Sequence, residues 1–388
     1  MAVVAVVGFE GQSRFADSTP SGTGGTIITL SGTASYSTST FRTGAAALRC
    51  NPASGASGNA QITTNTFKYC HFAINVATLP SVDRVVAGQI TAGQIHAKLT
   101  STGAIAVYLN TTLIGTSTTT LTTGTWYWIG LRYETGTSVV FLQINGTDEV
   151  TGTATVTATD GGVGFRGTEA SAVDAYFDDI IFDGAGFISN GKVNLAVPIS
   201  DNARATLWTG GVGGTTNLFD AVNNTPPIGT ATETDLTQIE HAGGAAGTTD
   251  AYDANMTTYT NLGIQAGDTV LAIQYAISHG EDVATGTKLL NFSLVSNPTQ
   301  ASGLANFSAG ADVGALGTYS TNWTTTVNTI ITSPSVTLGT SPVMRVVRPE
   351  TASRVASVCF MGMNVAWTPG AAAEQVPYVN PMPQLLAQ

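Results

Sequence analysis

Cleaving a glycosidic bond with retention needs two carboxyls about 5–5.5 Å apart, and Glu233-Thr-Asp-Leu-Thr-Gln-Ile-Glu240 comes nearest to such a set. On a strand its outer glutamates face opposite sides and stand more than about 20 Å apart, at about 3.3 Å per residue. They cannot share one sugar bond. Nucleophile and phosphate chemistry also lack their usual frames: there is no Gly-x-Ser-x-Gly elbow, phosphate loop or dinucleotide fingerprint. His71, His96, His241 and His279 are scattered without ligand spacing. Cys50, Cys70 and Cys359 each alternate in step with apolar neighbours. They read as small core side chains, with a Cys50–Cys70 bridge as an unneeded alternative. The residues that could do chemistry point away from catalysis, so the chain is not expected to be an enzyme.

The elements that carry these residues are strands. Charged residues make up 10% of the chain, against roughly 25% in an average globular protein. Threonine alone is about one residue in six, and a β-branched residue suits a pleated, half-wet surface better than a helix face. The net charge of −11 excludes a nucleic-acid partner, since phosphate binding needs clustered cations. Arg345, Arg348 and Arg354 are too few to form a basic patch. No run approaches the ~20 apolar residues of a membrane span, so membrane insertion is not expected. The apolar start, Met1–Gly8, lacks a basic leader and reads as a first strand rather than a signal peptide. A product made and kept in a cytosol until something releases it is expected from that reading.

Period-2 alternation is clearest over residues 67–183. Cys70, Phe72, Ile74 and Val76 alternate with Tyr69, His71, Ala73 and Asn75, which puts His71 on a solvated or inter-sheet face. Asn145-Gly146 is a strong hairpin signal between Val139–Ile144 and Glu149–Val156. Trp126 and Trp128 occupy the face opposite Tyr127, Ile129 and Leu131, and Asp178 and Asp179 are expected to point to opposite faces of a closing strand. Asp183-Gly-Ala-Gly186 breaks the pattern. A second set of strands follows, with Leu271, Ile273, Tyr275 and Ile277 on one face, after a long irregular stretch at about 209–268. The expected fold is all-β: a first sandwich over 1–185, a second β-sandwich with long loops over 192–369, and an extended tail over 370–388. The tail carries three prolines and is expected to lie against a neighbouring chain.

Phe9-Glu10-Gly11, Thr43-Gly-Ala-Ala-Ala-Leu-Arg49, Thr125-Trp-Tyr-Trp-Ile129, Leu142-Gln-Ile-Asn-Gly146 and Tyr176-Phe-Asp-Asp-Ile-Ile-Phe182 follow one another in an order that resembles the laminin-G-like, concanavalin A-like jelly rolls of bacteriophage structural proteins. Gly191-Lys-Val, Trp208-Thr209, Asp250-Ala-Tyr252, Ala272-Ile-Gln274 and Trp323 look like the domain that follows such jelly rolls in tail and virion proteins. The resemblance implies a virion structural component, a tail or fibre-type appendage or a head decoration subunit. Its partners would be other virion proteins and copies of itself. It also implies an alternative, a glycan-binding adhesion module facing a host surface glycan, with Trp126, Trp128, Tyr108 and Tyr133 as stacking aromatics; packing is the other use of those rings. In related carbohydrate-binding sandwiches a carboxylate near the first strand and one in the last share a structural calcium. Here these would be Glu10 with Asp178 or Asp179, unless the same groups cap turns or meet Arg49 or Arg166.

Overall fold

The computed structural model describes residues 3–10, 27–63, 67–204, 208–210, 217–223, 239–241, 251–281, 291–296, 305–306, 324–327, 330–347 and 356–370. The Glu233–Gln238 part of the acidic run, Trp323 and the tail beyond Gly370 lie outside the described residues, as do the side chains of Glu240, His241, His279 and Cys359. Among the described residues the regular structure is antiparallel strand, apart from one 3-10 turn at Leu218–Ala221. No helix there is long and apolar enough to cross a membrane.

Four sheets are formed. Sheet I runs in the order β10 (Thr112–Thr120), β9 (Ala104–Leu109), β8 (Ile95–Leu99), β7 (Arg84–Gly88), β14 (Gly162–Phe165), β5 (Gly58–Thr63) and β2 (Ile27–Gly32). Sheet II runs β13 (Thr147–Ala154), β12 (Gly136–Ile144), β11 (Trp126–Arg132), β6 (Tyr69–Thr78), β15 (Asp174–Asp183), β4 (Ala47–Cys50) and β3 (Ala34–Ser37), with β1 (Val3–Val7) also on β15. Sheet III runs β18 (Trp208–Gly210), β19 (Ile239–His241), β27 (Ala356–Thr368), β21 (Thr269–Glu281) and β24 (Thr324–Val327). In the same sheet β16 (Lys192–Ala196) pairs with β27 and β25 (Ile331–Thr332) with β21. Sheet IV runs β17 (Pro198–Arg204), β20 (Ala251–Met256), β26 (Val343–Val347), β22 (Asn291–Ser296) and β23 (Ala305–Asn306).

Three apolar layers join the sheets in the order I, II, III, IV. Phe72, Ile74, Val86, Val107, Ile129, Phe141, Phe165 and Phe177 fill the space between sheets I and II. Tyr252, Ile273, Tyr275, Phe292, Met344, Met361, Met363 and Trp367 do the same between III and IV. A third cluster, including Val3, Val6, Ala73, Trp128, Ile181, Val193, Leu271 and Ala366, lies between II and III. The central strands β6 and β15 of sheet II therefore have no wet face, while β12 and β13 at its margin keep exposed residues. Eight consecutive residues of β6, Tyr69–Val76, are buried, which is the pattern of a strand covered on both sides rather than one half-exposed. His71 is among them. This corrects the solvated option read from alternation: the imidazole is completely buried because Phe187 and Ile188 of the connection between the sandwiches, together with Trp128, pack over it.

Local chemistry sets several turns and bends. Asn145 and Gly146 both adopt positive φ (51° and 80°) between β12 and β13, as a two-residue hairpin requires. The β21–β27 register shifts between Val270 and Ala272, and Leu271 and Ala272 face sheet II while Ile273, Tyr275 and Ile277 stay in the III–IV core. The single face expected for Leu271 through Ile277 is split by that bulge. Cys50 pairs with Ala175 and Cys70 with Phe182. Seven residues of β15 separate those partners, far beyond the ~7 Å limit for bridging Cα atoms. Both thiols are free and buried.

Candidate functional site

The strand β15 changes partners halfway along. Ala175–Phe177 pair with β4 on the edge where Ile180–Asp183 pair with β1, while β6 runs along the opposite edge. Asp178 and Asp179 occupy the changeover. One extra residue is inserted here relative to β6 and Asp179 has φ 53°, a left-handed conformation that Asp tolerates better than most residues. The bulge overturns the simple expectation that the two carboxylates face opposite sides, since both reach the Arg42–Thr43 loop. Asp178 Oδ2 accepts the Arg42 and Thr43 backbone N–H groups (2.8 and 3.2 Å), and its Oδ1 accepts that of Asp179 (2.8 Å). Asp179 Oδ2 accepts Arg42 Nη1 (2.7 Å) and the Thr43 hydroxyl (3.0 Å), and its Oδ1 accepts the Val193 N–H (2.6 Å).

Glu10 completes this acidic group from the end of β1. It is buried, and its carboxyl oxygens face the Glu10 and Ala45 backbone without a well-aligned hydrogen bond. Gly44, at φ +69°, leaves the space that this carboxyl fills. A Cβ on Gly8 would lie 2.5 Å from Glu10 Oε2 and 3.6 Å from Asn364 Oδ1. Asn364 belongs to β27 of sheet III and is also buried with its amide unpaired. Burial first, and then the neighbouring Asp178 and Asp179, push the Glu10 carboxyl well above its usual range; main-chain groups of Glu10 and Ala45 offset part of this. Asp178 is raised well above its usual range by burial and by Asp179, and Asp179 is raised by burial against the opposing pull of Arg42.

The three residues expected to hold calcium are thus brought together, but their chemistry does not fit a metal. Ca²⁺ takes six to eight oxygens, and all four aspartate oxygens here already accept N–H or O–H donors. No set of three or more His, Cys, Asp or Glu side chains among the described residues is arranged to hold an ion. Nor do these carboxylates meet the arginines expected as alternatives. Arg49 forms a bidentate pair with Asp174 (3.1 and 2.7 Å), and Arg166 pairs with Asp160. Their cation is Arg42, which no spacing in the sequence had marked.

The four aromatic residues expected to stack on sugar do not form one platform. Trp128 is buried between the sandwiches, where Nε1 donates to the Ile188 carbonyl (2.7 Å). Trp126 is half-buried at the margin of the same cluster. Tyr133 lies in the I–II core, edge-on to Phe67 at 5.3 Å. Tyr108 stands apart from them on the outer face of sheet I. Its ring stacks on His96 across the β8–β9 pair, with centroids 5.3 Å apart and planes 8° from parallel, and Lys98 Nζ lies 5.0 Å from its centroid.

The outer face of sheet I is the site that sequence reasoning missed. Gln94, His96 and Lys98 alternate with Ile95, Ala97 and Leu99, which point into the core. On the other side of His96 stands Gly88 at φ +73°, where a Cβ would crowd the histidine backbone. His96 is completely buried beneath the Tyr108 ring, and both its nitrogens and Oε1 of Gln94 are buried without hydrogen-bond partners. Burial, and then Lys98, lower the His96 pKa to about 4, so the ring is neutral at physiological pH and offers one donor and one acceptor. The available signal was the alternation itself: polar residues at 94, 96 and 98 opposite Tyr108, each between core positions.

No family model matches the chain, and no curated protein matches it. Among solved structures, the cellulose-induced protein Cip1 is 14% identical and aligns over 40% of this chain and 86% of its own, with a TM-score of 0.31. A family 16 carbohydrate-binding module is 10% identical over 33% of this chain and 76% of its own, with a TM-score of 0.20. The binding domain of botulinum neurotoxin DC, solved in complex with SialylT, is 10% identical over 86% of this chain and 93% of its own, with a TM-score of 0.32.

Proposed function

We propose that the chain is a non-catalytic glycan-binding structural subunit, displayed on a phage virion as a tail or fibre-type appendage or a head decoration, with its sugar-contacting surface on the outer face of sheet I. The observation that carries the binding role is the part-exposed Tyr108 ring on the outer face of sheet I, backed by the buried His96 imidazole and flanked by Lys98. An aromatic face suits the apolar side of a pyranose, and a neighbouring ammonium such as that of Lys98 can donate hydrogen bonds to sugar hydroxyls. The virion setting draws its support from the ordered series Phe9-Glu10-Gly11 through Tyr176–Phe182 and its resemblance to phage jelly rolls.

A glycan array followed by titration calorimetry tests the binding role. Tyr108→Ala is expected to weaken binding at least about tenfold, corresponding to 1.4 kcal/mol, while Trp126→Ala leaves it unchanged. Failure of the wild-type chain to bind any glycan, or full binding by Tyr108→Ala, would remove this reading. Mass spectrometry of purified particles tests the virion setting separately.

A further inference from the structure

Asn145-Gly146 and Asn190-Gly191 are the two Asn-Gly dipeptides of the chain, and the fold treats them differently. In both, the asparagine is left-handed, at φ 51° and 48°. Asn145 and Gly146 form the exposed tip between β12 and β13, and a Cβ placed on Gly146 would meet nothing within 4 Å. The side-chain carbonyl of Asn145 accepts the Trp128 backbone N–H at 2.8 Å, and the Asn145 N–H donates to the Trp128 carbonyl at 2.8 Å. Among the described residues the Gly146 N–H has no such partner. Asn190 and Gly191 lie instead on the connection between the sandwiches. Gly191 is buried, and a Cβ there would stand 2.7 Å from Ile181 Cδ1 and 2.8 Å from Trp128 Cη2. Arg42 donates to the Asn190 side-chain carbonyl and, at 2.6 Å, to the Gly191 carbonyl, so it holds both residues of the pair.

We infer that Asn145 is a self-modification site, where the folded chain converts its own side-chain amide to an acid, and that Asn190 is shielded from the same reaction. The Gly146 nitrogen gives its proton to water and bonds Asn145 Cγ; the Cγ–Nδ2 bond then breaks and ammonia leaves. The cyclic imide so formed takes up one water, which opens either of its C–N bonds and leaves an aspartate or an isoaspartate at position 145. Attack puts negative charge on Asn145 Oδ1, where the Trp128 N–H already stands as a fixed donor. The nucleophile and the carbonyl are neighbours in one turn, so ring closure is intramolecular. At Asn190 the carbonyl is also polarised, but closing the ring requires the Gly191 peptide to rotate against Ile181 and Trp128 while Arg42 grips its oxygen. An isoaspartate at position 145 lengthens the main chain of the hairpin tip and adds a charge there. The change stays at the margin of sheet II and spares the junction.

Peptide mapping by mass spectrometry tests this on the wild-type protein, kept folded in mildly alkaline buffer and sampled over days, with enzymatic methylation to reveal isoaspartate. The amide-to-acid mass gain is expected at Asn145, at a rate at least about tenfold that at Asn190. In guanidinium the two sites should react at similar rates, because the protection of Asn190 belongs to the fold. Gly146→Ala places a methyl group beside the attacking nitrogen and should slow the reaction at Asn145 at least about tenfold. Asn145 left intact in the folded protein while it reacts in guanidinium would overturn the inference, as would equal rates at the two sites in the folded protein. Undiminished conversion in Gly146→Ala would mean direct attack by water and would overturn the ring-closure route. The wild-type comparison decides the matter even where the Gly146→Ala turn does not form.

Discussion

His71 and Trp128 lie stacked 5.9 Å apart, with planes 8° from parallel, and both bond the same residue of the connection between the sandwiches. Trp128 Nε1 donates to the Ile188 carbonyl, while the Ile188 N–H donates to His71 Nε2 at 3.0 Å. Since Nε2 accepts, the proton must sit on Nδ1, which faces the Ile181 carbonyl at 3.3 Å. One neutral tautomer is thereby selected.

That arrangement makes the junction sensitive to acid. Burial lowers the His71 pKa to about 4, against 6.5 for a free imidazole. Between these values the unfolded chain binds a proton that the folded one excludes. The stability is fully present above pH 6.5 and declines towards pH 4, by about 3 kcal/mol from this residue. Denaturant titrations across that window should show a shallower decline for His71→Gln, which is less stable at pH 7. Parallel wild-type and variant curves would exclude the assignment.

Glu10 acts with the opposite sign. Its carboxyl pKa is raised in the fold, so ionisation favours the unfolded chain and the stability it leaves intact in acid is lost as pH rises. Glu10→Gln keeps the shape and removes the charge. The variant should therefore match the wild type in acid and exceed it in stability above neutral pH, as measured by unfolding midpoints in guanidinium.

Truncating Trp128 should uncouple the sandwiches. Trp128→Ala removes a buried ring and its hydrogen bond to Ile188 and should cost about 3–5 kcal/mol. Because the ring sits between two cores rather than within one, calorimetry is expected to show two separated transitions in place of one. A single transition shifted downward would mean that the remaining contacts suffice for coupling.

Gly44→Ala should be costly despite adding only one methyl group. The residue has φ +69°, and its new Cβ would press into the Glu10 carboxyl. Left-handed backbone alone costs a non-glycine residue about 1–2 kcal/mol. The double variant Gly44→Ala/Glu10→Ala should recover the steric part of the loss, leaving the backbone part, as measured by a double-mutant cycle.

Cys50 and Cys70 are buried, and burial pushes both thiols well above their ordinary range. Neither should react with a thiol reagent in the folded protein. Both should react once guanidinium exposes them.

The all-β class was readable because Thr-rich alternation and Asn145-Gly146 are local signals whose physics operates between neighbours. The grouping of Glu10, Asp178 and Asp179 was readable only by resemblance, and the identity of their cation was not. Arg42 reaches Asp179 from 137 positions away through a bulge that alternation does not reveal. The surroundings of Trp128 and His71 stayed open between alternatives because a period of two says which residues share a face, not what covers it. β20 was hidden for a similar reason: Asp253 looks like loop composition, yet it is buried in a bidentate pair with Arg345 (2.7 and 2.6 Å) on the neighbouring strand.

The stacking of four sheets has a consequence for how such a chain can vary. Sheets II and III each lie between two apolar layers, so a substitution there is felt on whichever side it points. Sheets I and IV each keep one face outside those layers. Variants selected for altered recognition should therefore accumulate on the outward positions of these two sheets and in their loops. The middle pair should stay nearly invariant, like a spine carrying two replaceable skins.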